Sequence, residues 1–185
     1  MTDDREYEPE FGEGEARGAR RSLARQMAKK VIKEFRLKSP PVDVVMLIRE
    51  RGLRLVQSDV PGAVSGQLFP AQSEVFVNTH NRSLARQRFT MGHELGHWEL
   101  RHYLEDELPA DSYGFAGVYE AEGESEGRSS IEIEANTFAA ELLMPGSWIK
   151  TEKRPLSSGR ATELAALYQV SHEAMFYQLM HYKML

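Results

Sequence analysis

Residues 93–97 read His-Glu-Leu-Gly-His, and no other stretch restricts the fold as tightly. In a helix, residues four apart lie one above the other on the same face. His93 and His97 can then hold one metal ion between their rings, while Glu94 flanks that point without being needed as a ligand. Two imidazoles and a carboxylate beside a bound water are the working parts of a zinc hydrolase. The fold must therefore supply a rigid helix and a second element that covers its motif face. Gly92 and Gly96 sharpen this requirement. Glycine costs a helix interior about 1 kcal/mol, so a neighbouring backbone is expected to pack closely there.

The 185 residues suit one domain, with or without an extra terminal helix. A hydrophobic content of 41% supports a core, and a formal net charge of −5 argues against a general nucleic-acid binder. The chain has no cysteine. Disulfides and thiolate metal ligands are excluded, so a zinc ion here needs histidine and carboxylate ligands, and a reducing compartment fits. The first residues are acidic without an apolar stretch, unlike a secretory signal. No apolar run reaches the length of about 18 residues that a membrane helix needs. The expected location is the cytoplasm, with no membrane partner.

Periodicity divides the chain into four parts. Residues 1–15 are acidic and read as a solvated tail. Residues 16–38 read as an amphipathic helix with a basic outer face, its apolar side marked by Leu23, Met27, Val31 and Phe35. Residues 39–152 form the core. It begins with a short helix at 42–51 closed by Gly52, then strands near 53–57, 65–69 and 74–78. Asn81 or Ser83 caps the motif helix, which runs to about His102. The stretch 105–127 holds eight Asp or Glu and no basic residue, and reads as a loop or lid. A helix at 131–143 follows. Residues 153–185 form a helical, helix-turn-helix-like end. The predicted class is α+β, a small three-stranded antiparallel or mixed sheet packed on helices.

A third metal ligand must come from elsewhere in the chain. His102 reads as an ordinary helix-end histidine, turned away from the His93/His97 face if the helix continues. The helix at 131–143 is the better source, carrying Glu132, Glu134 and Glu141, with Ala135, Phe138 and Ala139 suited to packing on the motif helix. Glu132 and Asn136 share a face. A peptide deformylase uses the same pentapeptide but takes cysteine as its third ligand. A three-histidine ribonuclease needs histidine where this chain has Tyr103. Both readings fail here. Residues 160–185 carry only Arg160 and Lys183 as basic residues, too few for a DNA reader, so nucleic acid is not an expected partner.

Two segments carry a family resemblance. Phe89-Thr90-Met91-Gly92-His93-Glu94-Leu95-Gly96-His97 resembles the metal helix of the ImmA/IrrE metallo-endopeptidases. The segment 132–145, from Glu132-Ile133-Glu134-Ala135-Asn136 through Leu142-Leu143-Met144-Pro145, is similar to that family's second signature. The looser likeness spans about 41–182 and leaves out the tail and first helix. Many members join the two signatures by a short link, where this chain inserts the acidic stretch. The resemblance implies a gluzincin-like zinc peptidase. In it His93, His97 and Glu132 hold one Zn²⁺, with Glu134 as the alternative third ligand and Glu94 as general base.

The implied substrate is a regulatory protein, a transcriptional repressor or antitoxin of the helix-turn-helix kind. With only a tail and one helix ahead of the core, that partner is expected to be encoded separately. The alternative is a zinc-binding regulator that binds a partner without cleaving it. Tyr103, Tyr113, Tyr119, Tyr168, His172 and Arg160 are candidates to stabilise an oxyanion. The strand holding Val75, Phe76 and Val77 leads to the motif helix. If it is a sheet edge, a substrate can join it as an added strand.

Overall fold

The structure, a computed structural model, describes residues 19–62, 64–104 and 130–185. The acidic tail, the proposed lid at 105–127, Tyr113 and Tyr119 lie outside the described residues. Seven α-helices and three strands are described, giving the α+β architecture expected from the sequence. The helices are α1 (Arg21–Glu34), α2 (Val44–Glu50), α3 (Leu84–Glu99), α4 (Ser130–Leu143), α5 (Gly146–Ile149), α6 (Ser158–Tyr168) and α7 (His172–His181). The strands are β1 (Arg54–Ser58), β2 (Gly66–Phe69) and β3 (Glu74–Asn78).

Local chemistry fixes several of these ends. Asp43 accepts a hydrogen bond from the Met46 amide at 2.9 Å and starts α2. Of the two candidate caps for α3, Ser83 is the one used, accepting from the Arg86 amide at 3.2 Å. Gly52 closes α2 at φ +74°, a conformation that glycine adopts without strain.

The sheet is mixed, in the order β1-β3-β2. β1 runs parallel to β3, with Leu55 opposite Val75, and β2 runs antiparallel to it, with Gln67 opposite Phe76. This corrects the expectation for Val75, Phe76 and Val77. β3 is the central strand, its backbone donors and acceptors are shared between two neighbours, and Val75 and Val77 are fully buried. It offers no edge for a substrate. Among the described residues the edges are β1 and β2.

Helix α4 is the axis of the molecule. Every residue from Glu132 to Leu143 is buried, because α1 covers one side and α3 another, the two most extensive helix contacts described. The α1 seam runs through Ala24, Ala28 and Val31, with Leu23, Met27 and Phe35 flanking it. The small alanines let the two helices approach closely, so the buried face sits one position around from the large-residue stripe. α7 closes a further side, where Gln178 donates to the carbonyl of Met144 at 2.9 Å. No helix among the described residues is long and apolar enough to cross a membrane.

Candidate metal centre

Two helices build the site, and their glycines explain how. A Cβ on Gly96 would lie 3.0 Å from Phe138 Cδ1 and 3.1 Å from the carbonyl oxygen of Ala135. The backbones of α3 and α4 are thus nearly touching there. Gly92 faces Ala139 with more room, at 3.4 Å. The close neighbour that the two glycines predict is α4. Its approach carries Glu132 to the motif face of α3.

His93, His97 and Glu132 converge, with one potential ligand atom from each within 4.8 Å of the others. The His93 and His97 Nε2 atoms are 2.9 Å apart, and each lies 3.2 Å from a Glu132 carboxylate oxygen. All three side chains are at most 3% exposed. Two donor atoms bound to one zinc at 2.0–2.1 Å in tetrahedral geometry stand roughly 3.3 Å apart, so the spacing suits a single small ion. The outward ring nitrogens are engaged. His93 Nδ1 donates to Asn136 Oδ1 at 2.8 Å, and His97 Nδ1 meets His102 Nδ1 at 2.9 Å. Protons held on both Nδ1 atoms leave both Nε2 lone pairs for a cation. The described residues fit a metal ion.

The electrostatics agree. Burial lowers the His97 pKa to about 4, against a hydrogen bond to Glu132 that pulls it up, so its ring is neutral at pH 7 and available as a ligand. Burial pushes Glu132 the other way, but the paired histidines overcome it and hold the carboxylate ionised.

Glu94 sits on α3 between the two histidines in sequence and is 2% exposed. Strand β2 passes directly beside it. A Cβ on Gly66 would lie 3.2 Å from Glu94 Oε1, 2.9 Å from the Phe76 carbonyl oxygen, and would collide with Thr90 Cγ2. Only glycine lets the strand lie this close to Glu94.

His102 departs from expectation. The helix ends at Glu99, and Arg101 takes a left-handed φ of +59° that folds the chain back. His102 is thereby fully buried against His97, with its Nε2 3.1 Å from Glu134 Oε2. Nothing local signals this reversal, since Arg101 is neither Gly nor Asn. Glu134, the alternative third ligand, is spent on His102 and Arg20. Glu141 pairs with the Tyr182 hydroxyl and the Gly146 amide. Among the oxyanion candidates, Tyr103 stacks on Trp98, Arg160 is paired with Glu152 and Glu163, Tyr168 packs near Trp148, and His172 stacks on Phe176.

Comparison with known proteins adds to this geometry. The family described as the IrrE N-terminal-like domain, Peptidase_M78, matches residues 49–180. A solved structure titled as a Mycobacterium tuberculosis transcriptional regulator is similar in fold, with a TM-score of 0.61 and 17% identity. The match covers 85% of this chain and 46% of that one, so this chain spans under half the length of that structure. No curated protein matches the chain.

Proposed function

Because the chain belongs to the IrrE N-terminal-like (Peptidase_M78) family, we propose that it is a zinc-dependent endopeptidase acting on a regulatory protein. One observation carries the reading. Two imidazoles and a carboxylate turn their ligand atoms to one buried point beside the helix that also carries Glu94.

In this reading His93, His97 and Glu132 hold the ion. Zinc, when bound, polarises a peptide carbonyl and acidifies water. Glu94 takes a proton from the attacking water and returns it to the departing nitrogen as the peptide bond breaks. Burial keeps competing solvent from the carboxylate. Asn136 fixes the His93 ring, so that Nε2 and not Nδ1 meets the ion.

The substrate enters as an extended segment along the edge of β2 that has no partner strand among the described residues. That strand lies against α3 beside Glu94, and an unpaired edge accepts a further strand through main-chain hydrogen bonds. This mode favours an exposed, unfolded stretch of a target. The target proposed is a separately encoded helix-turn-helix repressor or antitoxin, met in the cytoplasm.

The test incubates the protein with the helix-turn-helix product of a neighbouring gene, with and without a chelator. Wild type cleaves only without the chelator, and Glu94→Gln retains zinc but does not cleave. Cleavage that ignores the chelator, or full activity in Glu94→Gln, sinks the mechanism.

A further inference from the structure

We propose that Arg20, Glu134 and His102 form a hydrogen-bonded line that positions His97 for the metal, so that the start of α1 sets metal affinity. Arg20 lies outside the span matched to the family. The inference rests on the reading of His97 as a ligand.

Arg20 stands just before the first turn of α1 and grips Glu134 in several ways. Its backbone amide donates to Glu134 Oε1 at 2.7 Å. Its Nε donates to the same oxygen at 3.0 Å, and its Nη2 to Oε2 at 3.0 Å. A carboxylate only 2% exposed is held ionised by these donors, and an ionised carboxylate is acceptor-only. Its further partner, His102 Nε2 at 3.1 Å, must therefore carry the proton. His102 is fully buried, and with Nε2 holding the proton its Nδ1 is the nitrogen left to accept. That nitrogen accepts the Nδ1 proton of His97 across 2.9 Å. His97 Nε2 is then left with a lone pair aimed at His93 Nε2 and Glu132.

Every bond direction in the line follows from the acceptor-only carboxylate at its centre. Glutamine at position 134 keeps the shape and loses this property, because a carboxamide can also donate. His102 could then take either tautomer, and so could His97. Arg20 contributes differently. It keeps the carboxylate charged and fixes its plane. Removing a partner that orients a ligating histidine typically lowers metal affinity about 10–100-fold.

The experiment measures zinc binding by the full chain in competition with a chromophoric chelator. It also records imidazole ¹⁵N shifts of zinc-loaded protein. Glu134→Gln is expected to weaken zinc binding about 10–100-fold and to shift the Nδ1 resonances of His97 and His102. Arg20→Ala weakens it in the same direction, and Arg20→Lys recovers part of the loss. Affinities within about twofold of wild type for both Glu134→Gln and Arg20→Ala overturn the proposal. So does weakened binding with unchanged imidazole shifts, which marks a merely structural role. Should Glu134→Gln fail to fold, the two Arg20 variants decide alone. His97→Ala separates the layers. If it binds zinc like wild type, the metal site itself is misread.

Discussion

The tautomer of each histidine decides whether this site can bind a cation at all, and single acceptor atoms set it. Asn136 Oδ1 accepts from His93 Nδ1, and an alanine there leaves the ring free to rotate or to move its proton. Asn136→Ala is expected to weaken zinc binding about 10–100-fold, read by chelator competition. Asn136→Asp, which keeps an acceptor, is expected to lose much less. Protons compete at the same residues. His97 has its pKa lowered to about 4, so acid favours the unfolded chain, whose histidine protonates first. Stability is lost as pH falls from about 6.5 to about 4. Glu134 sits in a lower window. Burial raises its pKa, but His102 and Arg20 bring it down to about 2, below the ordinary 4.5. Its contribution is present above pH 4.5 and disappears as pH falls through 2. Thermal melts of metal-free protein across pH check both signs. Glu134→Gln should flatten the lower window and leave the upper slope in place.

At the scale of elements, the question is how closely α3 and α4 may approach. Gly92 and Gly96 look equivalent in sequence, but they meet different neighbours. At Gly92 an added methyl reaches ordinary contact with Ala139, 3.4 Å away. Alanine also favours the helix by about 1 kcal/mol. Gly92→Ala is expected to be neutral or mildly stabilising. At Gly96 the methyl would press on the Ala135 carbonyl at 3.1 Å and its Cα at 3.2 Å, which are backbone and cannot rotate away. Overpacking of this kind costs about 1–3 kcal/mol, enough to reverse the helix gain. Gly96→Ala should lower the melting temperature and weaken zinc binding, because parting the helices carries Glu132 from the histidines. A Gly96→Ala variant that melts and binds like wild type would contradict this packing. The glycines were readable in the sequence because their helix cost demanded a cause. The return of His102 was not, since it depends on a left-handed arginine that only tertiary packing can hold.

Across the whole molecule, sequence periodicity located nearly every helix and strand, yet two relations between elements escaped it. Pairing order is not written in a strand's own residues. Val75 and Val77 alternate as a half-buried strand would, and only the crossover from β1 places them between two neighbours. The status of α1 was hidden for a related reason. Its large residues drew the eye to a surface stripe, while the contact with α4 runs through Ala24 and Ala28, whose side chains carry little hydrophobic signal. With both alanines fully buried against the helix that carries Glu132, α1 belongs to the same cooperative unit as the metal site. Ala28→Leu tests this. Three extra heavy atoms have no space between the helices, and the expected cost is about 1–3 kcal/mol. Leu84→Ala, at a position 77% exposed, is the matched control and should change little. Urea unfolding followed by tryptophan fluorescence, which reports on Trp98 and Trp148, should move to lower urea in step with the far-UV signal. Zinc affinity should fall together with them, since α4 must shift to admit the leucine. A separate early transition, with the tryptophan signal and zinc affinity unmoved, would make α1 an appendage, and Arg20 could then exert no hold on the metal.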